Sequence, residues 1–365
     1  MKLIRTEDAV GHVLCNDLTQ IIKDQYKDAR FRKGHVVTEE DIPVLLSMGK
    51  ENLYVWEMVP GMVHENDAAE RLVRLCQGDH MARSAVKEGK IELTAQMDGL
   101  FRVDNRRLNA VNAIDEIMVA TRHGNTPVKA GDKLCGTRVI PLVIAEEKLR
   151  AAEEAAGDSP LLELLPWKLK TAGVVTTGSE VAKGLIQDTF TPVVVGKLAA
   201  YGVAVTEHRV VGDGLENVAA AIGELRRAGV DMILCTGGMS VDPDDNTPGA
   251  IKASGARIVT YGAPVLPGAM FLLGYFDDGT PVMGLPGCVM YAGATIFDIV
   301  LPRVVAGVPV AREDITSLGE GGLCLICSVC TYPNCGFGKL DMVEHDALPT
   351  SALMPLCQRI WPMRG

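Results

Sequence analysis

The fold is decided by the stretch from Val210 to Ser240, VVGDGLENVAAAIGELRRAGVDMILCTGGMS, in which two strand patterns flank a helix pattern. The apolar residues between Leu215 and Leu225 recur at helical spacing, which predicts an amphipathic helix over Leu215–Ala228. The β-branched and apolar runs on either side predict strands over Val203–Val211 and Asp231–Cys235. A strand, a helix and a second strand in this order are typical of parallel strands joined by a covering helix.

The same alternation continues on both sides, from Lys170 to about Gly307. It predicts a strand over Gly173–Thr176, a helix over Thr189–Tyr201, a short helix over Pro248–Ala253, a hairpin of Met270–Phe276 and Thr280–Gly284 around Asp277-Asp278-Gly279, and a final helix after Gly287. We therefore expect an α/β domain of three layers, with a mostly parallel sheet covered on both faces.

The chain before this region follows a less regular pattern, which predicts a smaller α+β region. Helices are expected over Glu39–Met48 and near Asp67–Cys76, strands over Leu53–Trp56, Ile91–Thr94, Gly99–Val103 and Lys133–Ile144, and a helical connector over Glu146–Leu165. The sequence thus predicts three regions, comprising residues 1–166, 167–310 and 311–365.

The composition is that of a folded, enzyme-like protein. Of 365 residues, 47% are hydrophobic and 22% are charged, which excludes an intrinsically disordered chain. The formal net charge of −10 provides no sequence-wide positive field, so no nucleic-acid partner is expected. The amino terminus lacks the apolar segment of a signal peptide, and the longest uncharged run, Gly279–Phe297, is interrupted by proline and glycine. We expect a cytoplasmic protein that does not contact a membrane.

Acidic residues follow three of the predicted strands. Glu180 comes after the first, Asp213 after the second and Asp245 after the third, and two of these loops also contain glycines and hydroxyl groups. Ligands of an open parallel sheet bind at the carboxyl ends of its strands, where backbone N–H groups can hold a phosphate and carboxylates can hold Mg²⁺. Each acid taken singly could instead cap a helix, as Asp213 could before Leu215.

Six short motifs of this region carry a resemblance to a known family. In order and spacing they resemble the successive motifs of the molybdopterin-binding domain, which is shared by molybdopterin adenylyltransferases, molybdopterin molybdenumtransferases, gephyrin and the competence-damage-inducible family. The motifs are Thr176–Glu180 (TTGSE), Val211–Asp213 (VGD), Thr236–Ser240 (TGGMS), Asp245–Pro248 (DNTP), Pro267-Gly268 and Gly284–Gly287 (GLPG). Shorter stretches at Asp8–Leu14, Phe31–His35 and Leu45–Gly49 resemble the amino-terminal region of molybdenumtransferases.

The resemblance implies a role for individual residues. It implies Asp245, Asp213 and Glu180 as catalytic acids, with Asp245 and Glu180 as Mg²⁺ ligands. It implies a cofactor-binding wall formed by Thr176, Gly178, Gly237, Gly238, Ser240, Thr247, Pro248, Pro286 and Gly287. The ligand would be molybdopterin or adenylated molybdopterin, a small pterin phosphate.

The implied activity belongs to molybdenum cofactor biosynthesis. It would be a Mg²⁺-dependent transferase reaction that makes or cleaves the pyrophosphate of adenylated molybdopterin, with molybdate inserted on cleavage. Family members often have lysine and proline where Ala269 and Met270 stand, so an anion-binding charge is lost here. Two alternatives therefore stay open: a non-catalytic protein that binds and delivers molybdopterin, and a nucleotide pyrophosphatase of the competence-damage-inducible type. We expect a homo-oligomer, and a molybdoenzyme or another cofactor-synthesis protein as partner.

The cysteines fall into two groups. Cys15, Cys76, Cys135, Cys235 and Cys288 lie singly among apolar residues and are expected to be buried thiols. In the carboxy-terminal tail, Cys324, Cys327, Cys330 and Cys335 have the spacing C-x₂-C-x₂-C-x₄-C. Four thiolates this close can hold Zn²⁺ or an iron–sulfur cluster, although a redox role and cysteines without function are the alternatives.

Overall fold

The computed structural model describes residues 2–22, 26–55, 60–240 and 245–339. Contacts divide the chain into two compact units. The first unit comprises residues 1–96, 107–122 and 131–163, and the second comprises residues 97–106, 123–130 and the chain from Leu164 onwards. The expected strand residue Trp56 and the tail residues 340–365 lie outside the described residues.

The described chain alternates strands and helices along its length. The strands are β1 (Lys2–Arg5), β2 (Leu18–Ile22), β3 (Tyr26–Phe31), β4 (Asn52–Val55), β5 (Met62–His64), β6 (Met81–Arg83), β7 (Lys90–Ala95), β8 (Gly99–Val103), β9 (Ile117–Thr121), β10 (Thr126–Val128), β11 (Lys133–Val139), β12 (Val143–Ala145), β13 (Leu162–Leu165), β14 (Thr171–Thr177), β15 (Ala204–Val211), β16 (Met232–Thr236), β17 (Arg257–Tyr261), β18 (Leu272–Tyr275) and β19 (Pro281–Leu285). The helices are α1 (Asp41–Ser47), α2 (Glu65–Cys76), α3 (Asn105–Asn112), α4 (Glu146–Ala156), α5 (Ser179–Ala182), α6 (Phe190–Ala199), α7 (Leu215–Ala228), α8 (Thr247–Ala253), α9 (Ile296–Val305) and α10 (Arg312–Thr316).

The second unit is built on a six-stranded sheet of order β15-β14-β16-β19-β18-β17. The pairs β14–β15, β14–β16 and β16–β19 are parallel, whereas β18 pairs antiparallel with β19 and with β17. The predicted three-layer α/β fold with a mostly parallel sheet is confirmed. Since the parallel strands run in one direction, their carboxyl ends and the loops that follow them share one edge.

Successive residues of the central strands enter two different cores, because side chains alternate across a sheet. Val174 belongs to the core that the sheet forms with α6 and α9, and its neighbour Val175 belongs to the core formed with α7 and α8. Gly173 permits a close approach of helix α7, because a Cβ at that position would lie 2.8 Å from Cδ1 of Leu225. The strand sequence is therefore a continuous apolar run rather than an alternating one.

The first unit is α+β, as expected. Its largest sheet is antiparallel, with the order β6-β7-β11-β9, and β1–β4, β2–β3 and β5–β12 form separate pairs. A small apolar cluster that includes Leu14, Phe31 and Leu45 forms a core among β2, β3 and α1. Helix α2 begins after His64, whose ring accepts a hydrogen bond from the N–H of Asn66.

Two expected elements differ from the structure. The helix predicted over Glu146–Leu165 ends at Ala156, and Leu162–Leu165 is instead a strand paired with β8. The run Lys133–Ile144 is divided into β11 and β12. In the first case the cause is a long-range strand partner, which local helix propensity does not report. None of the described helices is long and apolar enough to cross a membrane.

Candidate functional site

The loop after β16 is shaped by two consecutive glycines with positive φ angles. Gly237 has φ +84° and Gly238 has φ +57°. A Cβ on Gly237 would lie 2.5 Å from the carbonyl oxygen of Thr177, and a Cβ on Gly238 would lie 2.7 Å from Oγ1 of Thr247. Only glycine therefore fits either position without movement of the neighbouring chain.

The hydroxyl groups of two threonines donate hydrogen bonds to backbone carbonyls of this loop and of the strand end before it. Oγ1 of Thr177 donates to the carbonyl of Thr236 at 3.2 Å, and Oγ1 of Thr247 donates to the carbonyl of Gly237 at 2.9 Å. The N–H of Thr247 also donates to the carbonyl of Gly238 at 3.2 Å. Thr247 is buried, and the single proton of its hydroxyl is donated to the carbonyl of Gly237 within the loop. This hydroxyl therefore fixes the shape of the loop, and it could donate to a phosphate, as the resemblance implied, only by giving up that bond.

The backbone N–H groups that remain are the main feature of the loop. Among the described residues, none accepts a hydrogen bond from the N–H of Gly238, Met239 or Ser240. Successive N–H groups in such a turn form a concavity that suits an anion. The side chain of Met239 packs on β19, where a Cβ on Gly284 would lie 2.5 Å from Sδ of Met239. The loop is thus fixed against the sheet while its N–H groups stay available.

Asp213 links the loops that follow three strands. Its Oδ2 accepts a hydrogen bond from the N–H of Ser179 at 2.8 Å, and its carbonyl accepts one from Nδ2 of Asn246 at 3.2 Å. The loops carrying Glu180, Asp213 and Asp245 therefore lie side by side at the carboxyl edge of the sheet. Helices α7 and α8 have no side-chain cap, so neither Asp213 nor Asp245 serves as the helix cap that the sequence left open.

The carboxylates of Glu180 and Asp245 are available for a ligand. Glu180 is exposed and Asp245 is half-buried, and among the described residues no donor is hydrogen-bonded to either carboxylate. The described residues include no group of three or more His, Cys, Asp or Glu side chains placed to hold a metal ion.

The side chain of Thr176 does not face the glycine loop, although the family resemblance implied a place for it in the ligand-binding wall. It is 3% exposed, and its Oγ1 lies 2.9 Å from Nε2 of His208, 3.0 Å from Oγ1 of Thr191 and 3.2 Å from Oδ2 of Asp188. Side chains alternate across a strand, so Thr177 faces the glycine loop and Thr176 faces helix α6. Thr176 therefore supports the site from the opposite face of β14.

Two contributors were missed by the sequence reasoning. Asp188 joins strand β14 to helix α6, because its Oδ1 accepts from the N–H groups of Phe190 and Thr191 at 2.9 and 3.0 Å. The hydroxyl of Tyr261 donates to the carbonyl of Met239 at 3.0 Å and so steadies the glycine loop. Burial and the nearby charge of Asp245 raise the pKa of Tyr261. Of these two residues, Asp188 has a sequence signal, because an aspartate just before a predicted helix commonly caps it. Tyr261 has no comparable signal.

The remaining predicted wall residues lie beside the same loop. Leu285 pairs with Thr236 in the sheet, so Pro286 and Gly287 follow β19 next to the glycine loop, and a 3₁₀ turn begins at Gly287. Gly178 has φ +139° and leads into helix α5. Pro248 occupies the first turn of α8, a position at which proline starts a helix.

The cysteine segment packs on the core of the second unit. The N–H of Leu266 donates to the carbonyl of Gly322, and the N–H of Cys324 donates back to Leu266, both at 2.8 Å. Cys324 and Cys335 are half-buried against the core, whereas Cys327 and Cys330 are exposed. The described structure does not gather these thiols into a metal-ligand set, so the Zn²⁺ or iron–sulfur site at Cys324, Cys327, Cys330 and Cys335 stays a prediction without geometric support.

Of the five cysteines expected to be buried, four are. Cys15, Cys76, Cys135 and Cys235 are buried, and Cys288 is half-buried. Burial raises the pKa of the Cys235 thiol to about 12, so this group is a neutral apolar side chain at physiological pH.

Comparison with known families matches two parts of the chain. Residues 173–306 match the model of a probable molybdopterin binding domain, in agreement with the resemblance seen in the motifs. Residues 3–57 match a domain of unknown function (DUF8806).

Among curated proteins, the chain is similar to CinA-like proteins. It is 40% identical over 86 residues to the one from Desulfosudis oleivorans, which is 24% of this chain and 21% of that protein. It is 36% identical over 76 residues to the one from Mycobacterium avium, which is 21% of this chain and 18% of that protein. The chain thus spans about a fifth of the length of the curated relatives it matches.

Among solved structures, similar chains include two molybdenum or tungsten cofactor proteins. The molybdopterin biosynthesis enzyme MoaB of Thermus thermophilus is 23% identical, with 39% of this chain and 99% of that chain covered and a TM-score of 0.33. The tungsten cofactor synthesizing protein MoaB of Pyrococcus furiosus is 21% identical, with 38% and 94% covered and a TM-score of 0.32.

Proposed function

Residues 173–306 belong to the molybdopterin-binding domain family, and from this premise we propose that the chain binds molybdopterin or its adenylate in molybdenum cofactor biosynthesis. The phosphate of the ligand lies on the loop Gly237–Ser240, and the pterin lies toward Pro286 and Gly287. The activity that this arrangement supports best is Mg²⁺-dependent handling of the pyrophosphate in adenylated molybdopterin, with molybdate insertion on cleavage.

The proposal rests on the backbone N–H groups of the glycine loop. Three successive N–H groups, those of Gly238, Met239 and Ser240, have no acceptor among the described residues, in a loop that Thr177, Thr247 and Met239 hold rigid. N–H donors that are fixed before the ligand arrives bind an oxyanion without paying an ordering cost at that moment. A phosphate is the oxyanion that the family's ligand supplies.

The residues present fit Mg²⁺ as an ion shared with the ligand. Asp245 and Glu180 would hold it, because their carboxylates have no bonded donor among the described residues, whereas Asp213 is committed to the N–H of Ser179. When bound, Mg²⁺ neutralises the charge that develops on the phosphate oxygens. Asp213 acts by fixing helix α5, and hence Glu180, beside the glycine loop. This differs from the direct catalytic role that the resemblance implied for Asp213.

A second function is favoured by the curated relatives. The local identity of up to 40% to CinA-like proteins supports a nucleotide pyrophosphatase as the alternative enzyme. The loss of the family lysine at Ala269 favours the third possibility, a protein that binds and delivers molybdopterin without turnover. All three would use the glycine loop. The transferase and the pyrophosphatase would each cleave a pyrophosphate bond there, whereas the delivery protein would cleave none.

A binding and turnover experiment separates these functions. The full chain would be titrated with molybdopterin and with adenylated molybdopterin, in Mg²⁺ and in EDTA, and release of AMP would be followed with and without molybdate. Cleavage of a nucleoside diphosphate would be measured in parallel. Asp245→Asn is the test variant, and Asp277→Asn, an exposed acid of the β18–β19 turn, is the matched control.

Each outcome has one interpretation. Mg²⁺-dependent binding with molybdate-stimulated AMP release supports the transferase. Binding without AMP release identifies the delivery protein, and cleavage of nucleoside diphosphates with no pterin binding identifies the pyrophosphatase. The proposal of a pterin-phosphate site fails if neither pterin compound binds, or if Asp277→Asn weakens binding as much as Asp245→Asn.

A further inference from the structure

A basic turn in the first unit has no part in the proposed function. Residues Arg30–His35, with the sequence RFRKGH, line a cavity of about 610 Å³ together with Asp41 and Val44. Arg30, Arg32 and Lys33 bring three cationic side chains to the lining of this cavity, in which Asp41 is the one carboxylate; Asp17, whose carboxylate accepts from the N–H of Lys33, is not among the lining residues. The cavity is thus locally positive in a chain whose formal net charge is −10.

The turn that presents these cations is fixed by backbone hydrogen bonds. The N–H of His35 donates to the carbonyl of Arg32 at 3.0 Å, and Gly34, with φ +87°, supplies the positive φ angle that such a turn requires. The N–H of Gly34 donates to Leu14 at 2.9 Å, and the N–H of Lys33 donates to Oδ1 of Asp17 at 2.7 Å. The backbone that carries these cationic side chains is therefore held in place by hydrogen bonds.

The side chains of the turn divide between the core and the cavity. Phe31 is 7% exposed and packs in the small apolar core, so that Arg30 and Arg32 on either side of it point to the surface. Neither arginine forms an ion pair or hydrogen bond with another described residue. Lys33 behaves differently, because its Nζ lies 2.9 Å from Nδ1 of His64.

The carboxylate of Asp41 in this cavity is already occupied. Its Oδ2 accepts from the N–H and from Oγ1 of Thr38, both at 2.8 Å, and lies 2.7 Å from Nε2 of His35. Three donors on one oxygen compensate much of its charge, so Asp41 opposes an incoming anion weakly. Arg30 and Arg32 thus line the cavity with guanidinium groups that form no ion pair with a residue of the described part of the chain.

We propose that this cavity binds a small oxyanion ligand, of which a phosphate ester or pyrophosphate is the leading class. The guanidinium fork of arginine pairs with phosphate and carboxylate oxygens through two parallel hydrogen bonds. The volume is that of a small-molecule site. A nucleic acid fits less well, because a long polyanion would extend beyond the turn into the field of an acidic protein.

The test measures anion binding in the full chain with divalent ions removed. Inorganic pyrophosphate and, separately, citrate would be titrated calorimetrically in EDTA at low and at increasing NaCl concentration. The variants are Arg30→Ala/Arg32→Ala and the charge-conserving Arg30→Lys/Arg32→Lys. Arg74→Ala removes one exposed positive charge of helix α2 in the same unit and serves as the control.

We expect pyrophosphate to bind, more weakly as salt is added, and the double alanine variant to lose at least about tenfold in affinity. The lysine variant should retain more affinity than the alanine variant, and Arg74→Ala should change it little. Tighter binding of citrate than of pyrophosphate would assign the site to carboxylates instead of phosphates.

Four results would overturn the proposal. These are no binding of pyrophosphate, an unchanged affinity in Arg30→Ala/Arg32→Ala, an equal loss in Arg74→Ala, which would show that only the charge of the whole unit matters, and tighter binding of a single-stranded oligonucleotide than of pyrophosphate. Circular dichroism checks that each variant is folded. Arg30→Ala/Arg32→Ala should leave the affinity for adenylated molybdopterin in Mg²⁺ unchanged, so failure of this proposal and failure of the pterin-phosphate site can be distinguished.

Discussion

Substitution of Gly237 by alanine tests whether the glycine loop is shaped by close approach to β14. The added Cβ would lie 2.5 Å from the carbonyl oxygen and 2.6 Å from Oγ1 of Thr177, and the residue would keep φ near +84°. A left-handed conformation costs an alanine roughly 1–2 kcal/mol, and forcing atoms into a packed neighbour typically costs about 1–3 kcal/mol more. We expect Gly237→Ala to lower the free energy of unfolding by about 2–5 kcal/mol.

Gly184→Ala is the matched control for this prediction. Gly184 has a similar φ of +69°, but a Cβ there would meet nothing within 4 Å. That variant should lose only the conformational term of roughly 1–2 kcal/mol, partly offset because alanine restricts the unfolded chain. The difference between the two variants therefore reports the collision with Thr177.

Guanidinium unfolding followed by circular dichroism measures both variants, and titration with adenylated molybdopterin measures the effect on the site. A carbonyl oxygen of the backbone cannot rotate away, so the loop must move by some tenths of an ångström and its N–H groups must move with it. Equal destabilisation of the two variants, or an unchanged affinity in Gly237→Ala, would show that close approach to Thr177 does not shape the loop.

Four further outcomes are expected. Asp245→Asn should weaken Mg²⁺-dependent ligand handling by more than roughly a hundredfold, because a metal clamp contributes several kcal/mol, while its unfolding midpoint stays that of the wild type. Thr176→Val should destabilise the domain by about 1–3 kcal/mol in chemical unfolding, because its buried partners lose a hydrogen-bonding hydroxyl. The pterin affinity of this variant should be unchanged, and a large loss of affinity would show that Thr176 does contact the ligand. Burial raises the pKa of Asp188, but hydrogen bonds from Thr191 and from the N–H of Phe190 lower it more, so the pKa in the folded protein lies below its ordinary value of 3.8. The ionised carboxylate therefore stabilises the folded state fully above about pH 4, and this stabilisation is lost as the pH falls through the folded-state pKa. Acid titration of Asp188→Asn should accordingly show a shallower loss of stability below about pH 4. Analysis of anaerobically purified protein for zinc, iron and acid-labile sulfide should show a loss of metal in Cys327→Ser/Cys330→Ser, and identical metal content in both proteins would remove the predicted thiolate site.

The elements that could be predicted from the sequence are those with a long, local pattern of apolar residues. Helix α7 has the predicted bounds Leu215–Ala228, and strand β8 has the predicted bounds Gly99–Val103. Both carry their own periodicity and end signals, so no distant partner is needed to recognise them. The parallel order of the sheet followed from the same alternation, and with it the expectation that loops with Glu180, Asp213 and Asp245 meet at one edge.

The role of each residue at that edge depends on tertiary contacts that the sequence does not contain. Thr176 and Thr177 are adjacent and identical, yet Thr177 supports the glycine loop and Thr176 joins Asp188 and His208 on the opposite face. A strand sequence shows that neighbouring side chains lie on opposite faces of the sheet, but not which face the glycine loop adjoins. Asp213 was recognised as an acid of the site, whereas its bond to the N–H of Ser179 depends on the pairing of two strands.

Dependence on distant partners also explains why the end of the helix predicted over Glu146–Leu165 was wrong. Leu162–Leu165 follows a helix in an alanine- and glutamate-rich segment, and its strand conformation depends on hydrogen bonds to β8, far away in the chain. Helical hydrogen bonds connect residues four apart and leave a local signature, whereas strands are stabilised by partners that the local sequence does not contain. For this protein, local periodicity determined the helices and the order of layers, and long-range pairing decided the strand partners and the direction in which each side chain of the site points.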